Sequence, residues 1–175
     1  DEHVWTSLRN ASTVCDAIAE TLVEMDPENK DIYQANAEAY QKNLSDLDAE
    51  YQNTVDSAKQ KTLLFADRFP FRYLTDDYGL SYYAAFSGCS AESEASFKTI
   101  TFLAGKVDEL GLNSVLTIEK SDDRIAQTVI ENTKTKDQNI LVLNSMQSIT
   151  SEEIADGTTY LSVMEENLKT LKEAL

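Results

Sequence analysis

Apolar residues recur at helical spacing along the first third of the chain. Ala11, Val14, Cys15, Ile18, Leu22 and Met25 fall three and four residues apart, which makes one stripe of a helix over 8–25. Ser7 stands where an N-cap belongs, and Pro27 ends the element by pushing Asp26 out of helical geometry. The strongest signal follows over 29–58. There Tyr33, Ala37, Tyr40, Leu44, Leu47, Tyr51, Val55 and Ala58 keep steps of three and four, with no Gly or Pro between them. Such a helix is roughly 45 Å long, more than a compact domain of this size needs, so it reads as a strut along or between lobes. Three tyrosines at seam positions argue against a coiled coil.

After residue 60 the pattern shortens and alternates. Continuous apolar runs at 62–66, 81–86, 114–118 and 140–143 predict strands. Between them, 71–77, 94–110 and 122–133 predict helices. Tyr78-Gly79-Leu80 reads as the stop of the first of these, and Gly111 caps the second. A loop is predicted over 144–158 and a last helix over 159–175, with Tyr160, Met164, Leu168, Leu171 and Leu175 on its apolar face. Strand–helix alternation with uninterrupted apolar strands predicts an α/β fold. Its core is a four-stranded, mostly parallel sheet flanked by helices and preceded by the long helix. In such folds ligands bind beyond the carboxyl ends of the strands. Asp67-Arg68, 87–94, Glu119-Lys120 and 144–148 fall there.

Composition narrows the functions. Fifteen Lys and Arg stand against 31 Asp and Glu, a net charge of −16 in 175 residues, so the chain repels a phosphate backbone and nucleic acid is excluded as a partner. The first 60 residues hold 13 acids and 4 bases, which reads as the solvated face of the long helix. No apolar run approaches the roughly 18 residues of a membrane span. The chain begins at Asp1 with no signal segment, as a mature product or an excised domain does.

Catalytic signatures are missing. The five glycines are dispersed and form no phosphate loop, and no nucleophile elbow is present. Cys89 has no imidazole near it in sequence, since His3 is the one histidine. The chain is therefore expected not to be an enzyme. A Cys15–Cys89 bridge is open. Cys15 lies on the apolar stripe of its helix, where a free thiol behaves as a small hydrophobe.

The most specific segment is Asp1-Glu2-His3-Val4-Trp5-Thr6-Ser7, followed by Asn10-Ala11 and a helix. It resembles the D-x-H-x-W-x-S signature of the zinc- and manganese-type solute receptors of bacterial ABC transporters. The resemblance continues in order through the chain. It runs through Asp26-Pro27-Glu28-Asn29 with Tyr33 and the long helix, Phe71-Arg72-Tyr73-Leu74 with Tyr78-Gly79-Leu80, Gly88 to Ser96, and Thr158 to Leu168. That family has two α/β lobes joined by a rigid helix, with the metal between the lobes. The resemblance therefore implies that 1–28 is the end of a first lobe and a first helix, 29–60 the connecting helix and 61–175 the C-terminal lobe. The first sheet and its ligands would lie outside these residues.

The same resemblance implies an extracytoplasmic location, an ABC permease as partner, Zn2+ or Mn2+ as the bound ion, and membrane contact only through a lipid anchor that this chain does not contain. His3 matches the histidine of the motif, and imidazole suits these ions. The second-lobe ligand falls at Asp67 or Arg68. A gap-free match lands on Arg68, which cannot ligate, whereas Asp67 can. The last ligand falls in 144–148, where Asn144 and Gln147 offer neutral amide oxygens, which contribute less affinity than carboxylate or imidazole. Glu92, Glu94 and Glu119 are carboxylates on the same sheet face that could compensate, although Glu94, with Ser96, is better suited to capping a helix. The altered loop also fits a second function, a surface interaction or adhesion module that keeps the receptor fold without metal transport.

Overall fold

A computed structural model describes residues 1–88 and 95–175. Cys89, Glu92 and Glu94, and with them the far end of any Cys15–Cys89 bridge, lie outside the described residues. Cys15 itself is a free thiol.

Two helices lead the chain. α1 (Leu8–Met25) starts at Ser7, whose hydroxyl accepts the Asn10 N–H at 3.0 Å. α2 (Lys30–Ser57) is 28 residues long, about 42 Å at the α-helical rise. The two helices pair side by side. Only Leu44, Leu47, Tyr51 and Val55, in the second half of α2, are buried. That half packs onto the sheet and the last helix, and Tyr51 donates to the Met164 carbonyl at 2.6 Å.

The remainder alternates β1 (Thr62–Phe65), α3 (Arg72–Tyr78), β2 (Ser81–Ala84), α4 (Phe97–Leu110), β3 (Ser114–Thr117), α5 (Arg124–Glu131), β4 (Asn139–Val142), α6 (Ser151–Ala155) and α7 (Tyr160–Ala174). The strand order is β2-β1-β3-β4 and every pairing is parallel, with Thr62 opposite Ser81, Phe65 opposite Leu116 and Ser114 opposite Asn139. β1 and β3 are the central strands and are buried nearly throughout, whereas the edge strands β2 and β4 are half exposed. Side chains alternate across the sheet. Leu63, Phe65 and Leu116 face a core with α2, α3 and α7, whereas Leu64, Ala66 and Val115 face a second core with α4 and α5. The chain moves from β1 outward to β2 and then back across to β3. Strand order therefore reverses between β1 and β3, and their carboxyl ends flank the crevice where α/β sheets place ligands.

Two features depart from the sequence expectation, the first for a local reason and the second for a tertiary one. The predicted loop over 144–158 contains α6, held by a capping box. Thr150 Oγ1 accepts the Glu153 N–H at 3.2 Å, and Glu153 accepts the Thr150 N–H at 2.6 Å. The Thr150 hydroxyl, donating to the Glu153 carboxylate at 2.7 Å, and then the Thr150 N–H hold that carboxyl below the usual carboxylate range. The apolar stripe of α1 is largely uncovered, with Val14 47%, Ile18 56% and Met25 78% exposed.

Candidate metal centre

Residues 1–7 lie across the carboxyl end of the sheet. Tyr73 on α3 donates to the Asp1 carbonyl at 2.8 Å. Trp5 Nε1 donates to the Ser145 carbonyl, after β4, at 2.8 Å, and Tyr160 on α7 donates to the Trp5 carbonyl at 2.8 Å. Ser7 Oγ donates to Asp77 at 2.5 Å and so fixes the segment to the end of α3. Burial among apolar groups raises the Tyr160 hydroxyl above the ordinary phenol range, so it stays a donor at neutral pH.

His3 sits inside this strap and is buried. Its Nδ1 lies 2.6 Å from Asp1 Oδ1, which also accepts the His3 N–H at 3.0 Å. A carboxylate beside Nδ1 is the kind of partner that orients ligating histidines. The Trp5 ring meets the imidazole edge-on, with centroids 5.4 Å apart. Among the described residues, one group of three His, Cys, Asp or Glu has its ligand atoms all within 4.8 Å of one another: Asp1, Glu2 and His3. Sequence reasoning singled out His3 and passed over its two neighbours, although Asp1 was already part of the motif.

Asp67 follows β1 and is nearly buried. Its Oδ1 accepts the Arg68 N–H at 2.7 Å, and Oδ2 lies 3.5 Å from the Ile118 N–H across the β1–β3 crevice. The Arg68 guanidinium stands 3.8 Å from the same carboxylate and is half exposed. Asp67 therefore ties the two strand ends together as well as presenting a carboxylate at the crevice.

Glu119 follows β3 and faces the loop after β4. Its oxygens accept the Ser145 N–H at 2.7 Å, the Ser145 hydroxyl at 2.8 Å, the Gln147 N–H at 3.1 Å and the Ser148 hydroxyl at 3.1 Å. Three of these donors converge on Oε1 and the Ser145 N–H reaches Oε2, so both oxygens of the carboxylate expected to compensate as a metal donor are hydrogen-bonded to the loop.

Asn144 is committed in a similar way. Its Oδ1 accepts the Met146 N–H at 2.8 Å in a turn that puts Met146 at φ +62°, and its main chain pairs reciprocally with the buried Asn167. Gln147 is exposed, with its amide N donating to Ser145 Oγ at 3.1 Å. Trp5, Ser145 and Asn167 were not foreseen as site residues. Their roles depend on partners far away in sequence.

Comparison with known proteins follows from this geometry. The family model described as zinc-uptake complex component A, periplasmic (ZnuA), matches residues 1–174. The zinc-binding lipoprotein AdcA of Streptococcus pneumoniae is 34% identical over 173 residues, covering 99% of this chain and 34% of that protein. The Zn(II)-bound ZnuA-like domain of Streptococcus pneumoniae AdcA superposes with a TM-score of 0.80 at 33% identity, over 99% of this chain and 63% of that one. The laminin-binding protein Lbp of Streptococcus pyogenes superposes with a TM-score of 0.82 at 26% identity, over 100% and 64% of the two chains. The chain spans about a third of the length of the first curated relatives it matches.

Proposed function

The chain belongs to the ZnuA family of zinc-uptake components, and from that premise we propose that it is the helix-linked C-terminal lobe of an extracytoplasmic zinc receptor serving an ABC importer. Zinc is the cargo, bound and released unchanged. The observation that carries this reading is the buried His3, held through Nδ1 by Asp1 with the Glu2 carboxylate close by. Imidazole with carboxylates is a donor set that zinc accepts, and an oriented ring ligates through Nε2. Asp67 and Gln147 are the donors on the sheet side, and Glu119 and Asn144 hold the loop that presents Gln147. With Arg68 at one expected ligand position and a neutral amide at another, the chain binds zinc more weakly than a site of imidazoles and carboxylates alone. Residues 1–28 and 29–60 connect this lobe to the remainder of the receptor, and the ABC permease is the partner that takes the metal. The donor set also admits Mn2+, for which imidazole is the less suited ligand.

Calorimetric titration of the intact two-lobed receptor that contains this chain, with zinc and with manganese, tests the reading. Saturable zinc binding that disappears in His3→Ala, with manganese weaker, is the expected result. Zinc binding of equal strength in wild type and His3→Ala overturns it. A second reading, adhesion at the cell surface, draws on the likeness to the laminin-binding protein. It requires binding to immobilised laminin that is unchanged by a chelator and by His3→Ala.

A further inference from the structure

We propose that Glu119 is a positioning residue that fixes His3 from the far side of the site, through Ser145 and Trp5. This rests on the zinc-receptor reading for its purpose, but not for its geometry. Each link is a direct contact. Glu119 binds both the N–H and the hydroxyl of Ser145, at 2.7 and 2.8 Å. The Ser145 carbonyl accepts the Trp5 indole N–H at 2.8 Å, and the Trp5 ring packs edge-on against His3. Ser145 is fully buried, so its main chain has no solvent to fall back on if the carboxylate is withdrawn.

The loop holds a strained conformation that the Asn144 turn shapes locally and Glu119 braces from across the chain. Met146 has φ +62°, in the left-handed region that a side chain of its type rarely visits. Lys120, next to Glu119, has φ +58° and donates to the Ser148 carbonyl from the other direction. Charge-assisted bonds from one carboxylate to three residues of a short loop are what keep that geometry in place. Asp1 therefore orients the His3 ring from one side and Glu119 from the other, one by direct contact and one through the indole.

The chain contains one tryptophan and one histidine, so each end of the relay has its own probe. In Glu119→Gln the metal-free protein is expected to show Trp5 emission shifted to longer wavelength and more open to acrylamide, with its helical circular dichroism unchanged. Zinc affinity is expected to fall on the order of 10- to 100-fold, the loss typical of an outer partner of a ligand. Trp5→Phe keeps the ring and removes the N–H, and it is expected to weaken zinc binding without adding to the effect of Glu119→Gln in the double variant.

If Glu119→Gln lowers zinc affinity while Trp5 emission in the metal-free protein stays as in wild type, Glu119 is a ligand and the proposal is overturned. Unchanged emission and unchanged affinity overturn it as well. Should Glu119→Gln unfold, Ser145→Ala removes one hydroxyl of the relay and is expected to move Trp5 emission in the same direction, and no movement there counts against the relay. An intact two-lobed receptor that binds no zinc overturns the receptor reading, while the Trp5 shift in metal-free protein still decides the relay.

Discussion

Asn167 illustrates how a single side chain fixes the site. It is buried, donates to the Asn144 carbonyl at 2.8 Å and accepts the Asn144 N–H at 2.8 Å. Replacing it with Ala leaves two main-chain groups without their partner, so Asn167→Ala is expected to cost about 1–3 kcal/mol in urea unfolding. Asn167→Asp keeps the acceptor but sets a buried carboxylate oxygen against the Asn144 carbonyl, and is expected to cost at least as much as Ala. Three of the eight tyrosines carry a second prediction. Burial raises the hydroxyls of Tyr51, Tyr78 and Tyr160 well above the ordinary phenol range, and for Tyr78 the bond to Asp48 adds to it. Their folded pKa values exceed their unfolded ones, so the folded state holds more protons at high pH. The stability they contribute is fully present below pH about 10 and is lost as pH rises above it. Absorbance near 295 nm is expected to show some tyrosines ionising reversibly and these three only together with the loss of helical circular dichroism. Ionisation of all eight before unfolding would contradict it. At this scale the sequence pointed to His3 through its motif, because the motif is local. It did not reveal the partners of Glu119 or Asn167, because Ser145 and Asn144 reach them only after the chain has folded back over 26 and 23 residues.

At the scale of elements, α1 and α2 display the same periodicity and have different fates. The three- and four-residue steps predict an apolar face in both, and both helices form within a residue or two of the expected limits. The pattern says which face is apolar, but what covers it is a tertiary fact. On α2, Leu44 is 1% exposed, and Leu44→Ala is expected to cost about 2–5 kcal/mol. On α1, Ile18 is 56% exposed, and Ile18→Ala is expected to stay within about 0.5 kcal/mol. Chemical unfolding of the two variants side by side checks the contrast, and equal losses would mean that the α1 stripe is covered. The strands were legible for a similar reason. β1 and β3 are buried on both faces and therefore read as unbroken apolar runs. α6 was missed although Thr150 and Glu153 spell its capping box, because five residues are too few for any periodicity to register.

For the whole molecule, a net charge of −16 raises the local concentration of cations, and the screening length of roughly 8 Å at physiological ionic strength confines that field to the surface. The field attracts any cation, whereas in the proposed function the strap of residues 1–7 selects one. His3 is anchored by Asp1, Trp5 by Ser145 and Tyr160, and the crevice beneath is where the strand order of the sheet reverses. Family membership makes the chain part of a zinc-uptake component, and the proposed ion binding reduces to one nitrogen atom. Because His3 is the single histidine, protein labelled with 15N at histidine gives one pair of imidazole resonances. The account predicts that adding zinc moves the Nε2 resonance and leaves Nδ1 as the protonated partner of Asp1, with saturation at one equivalent. Imidazole resonances that stay fixed through several equivalents of zinc, or a shift at Nδ1 instead, would contradict it.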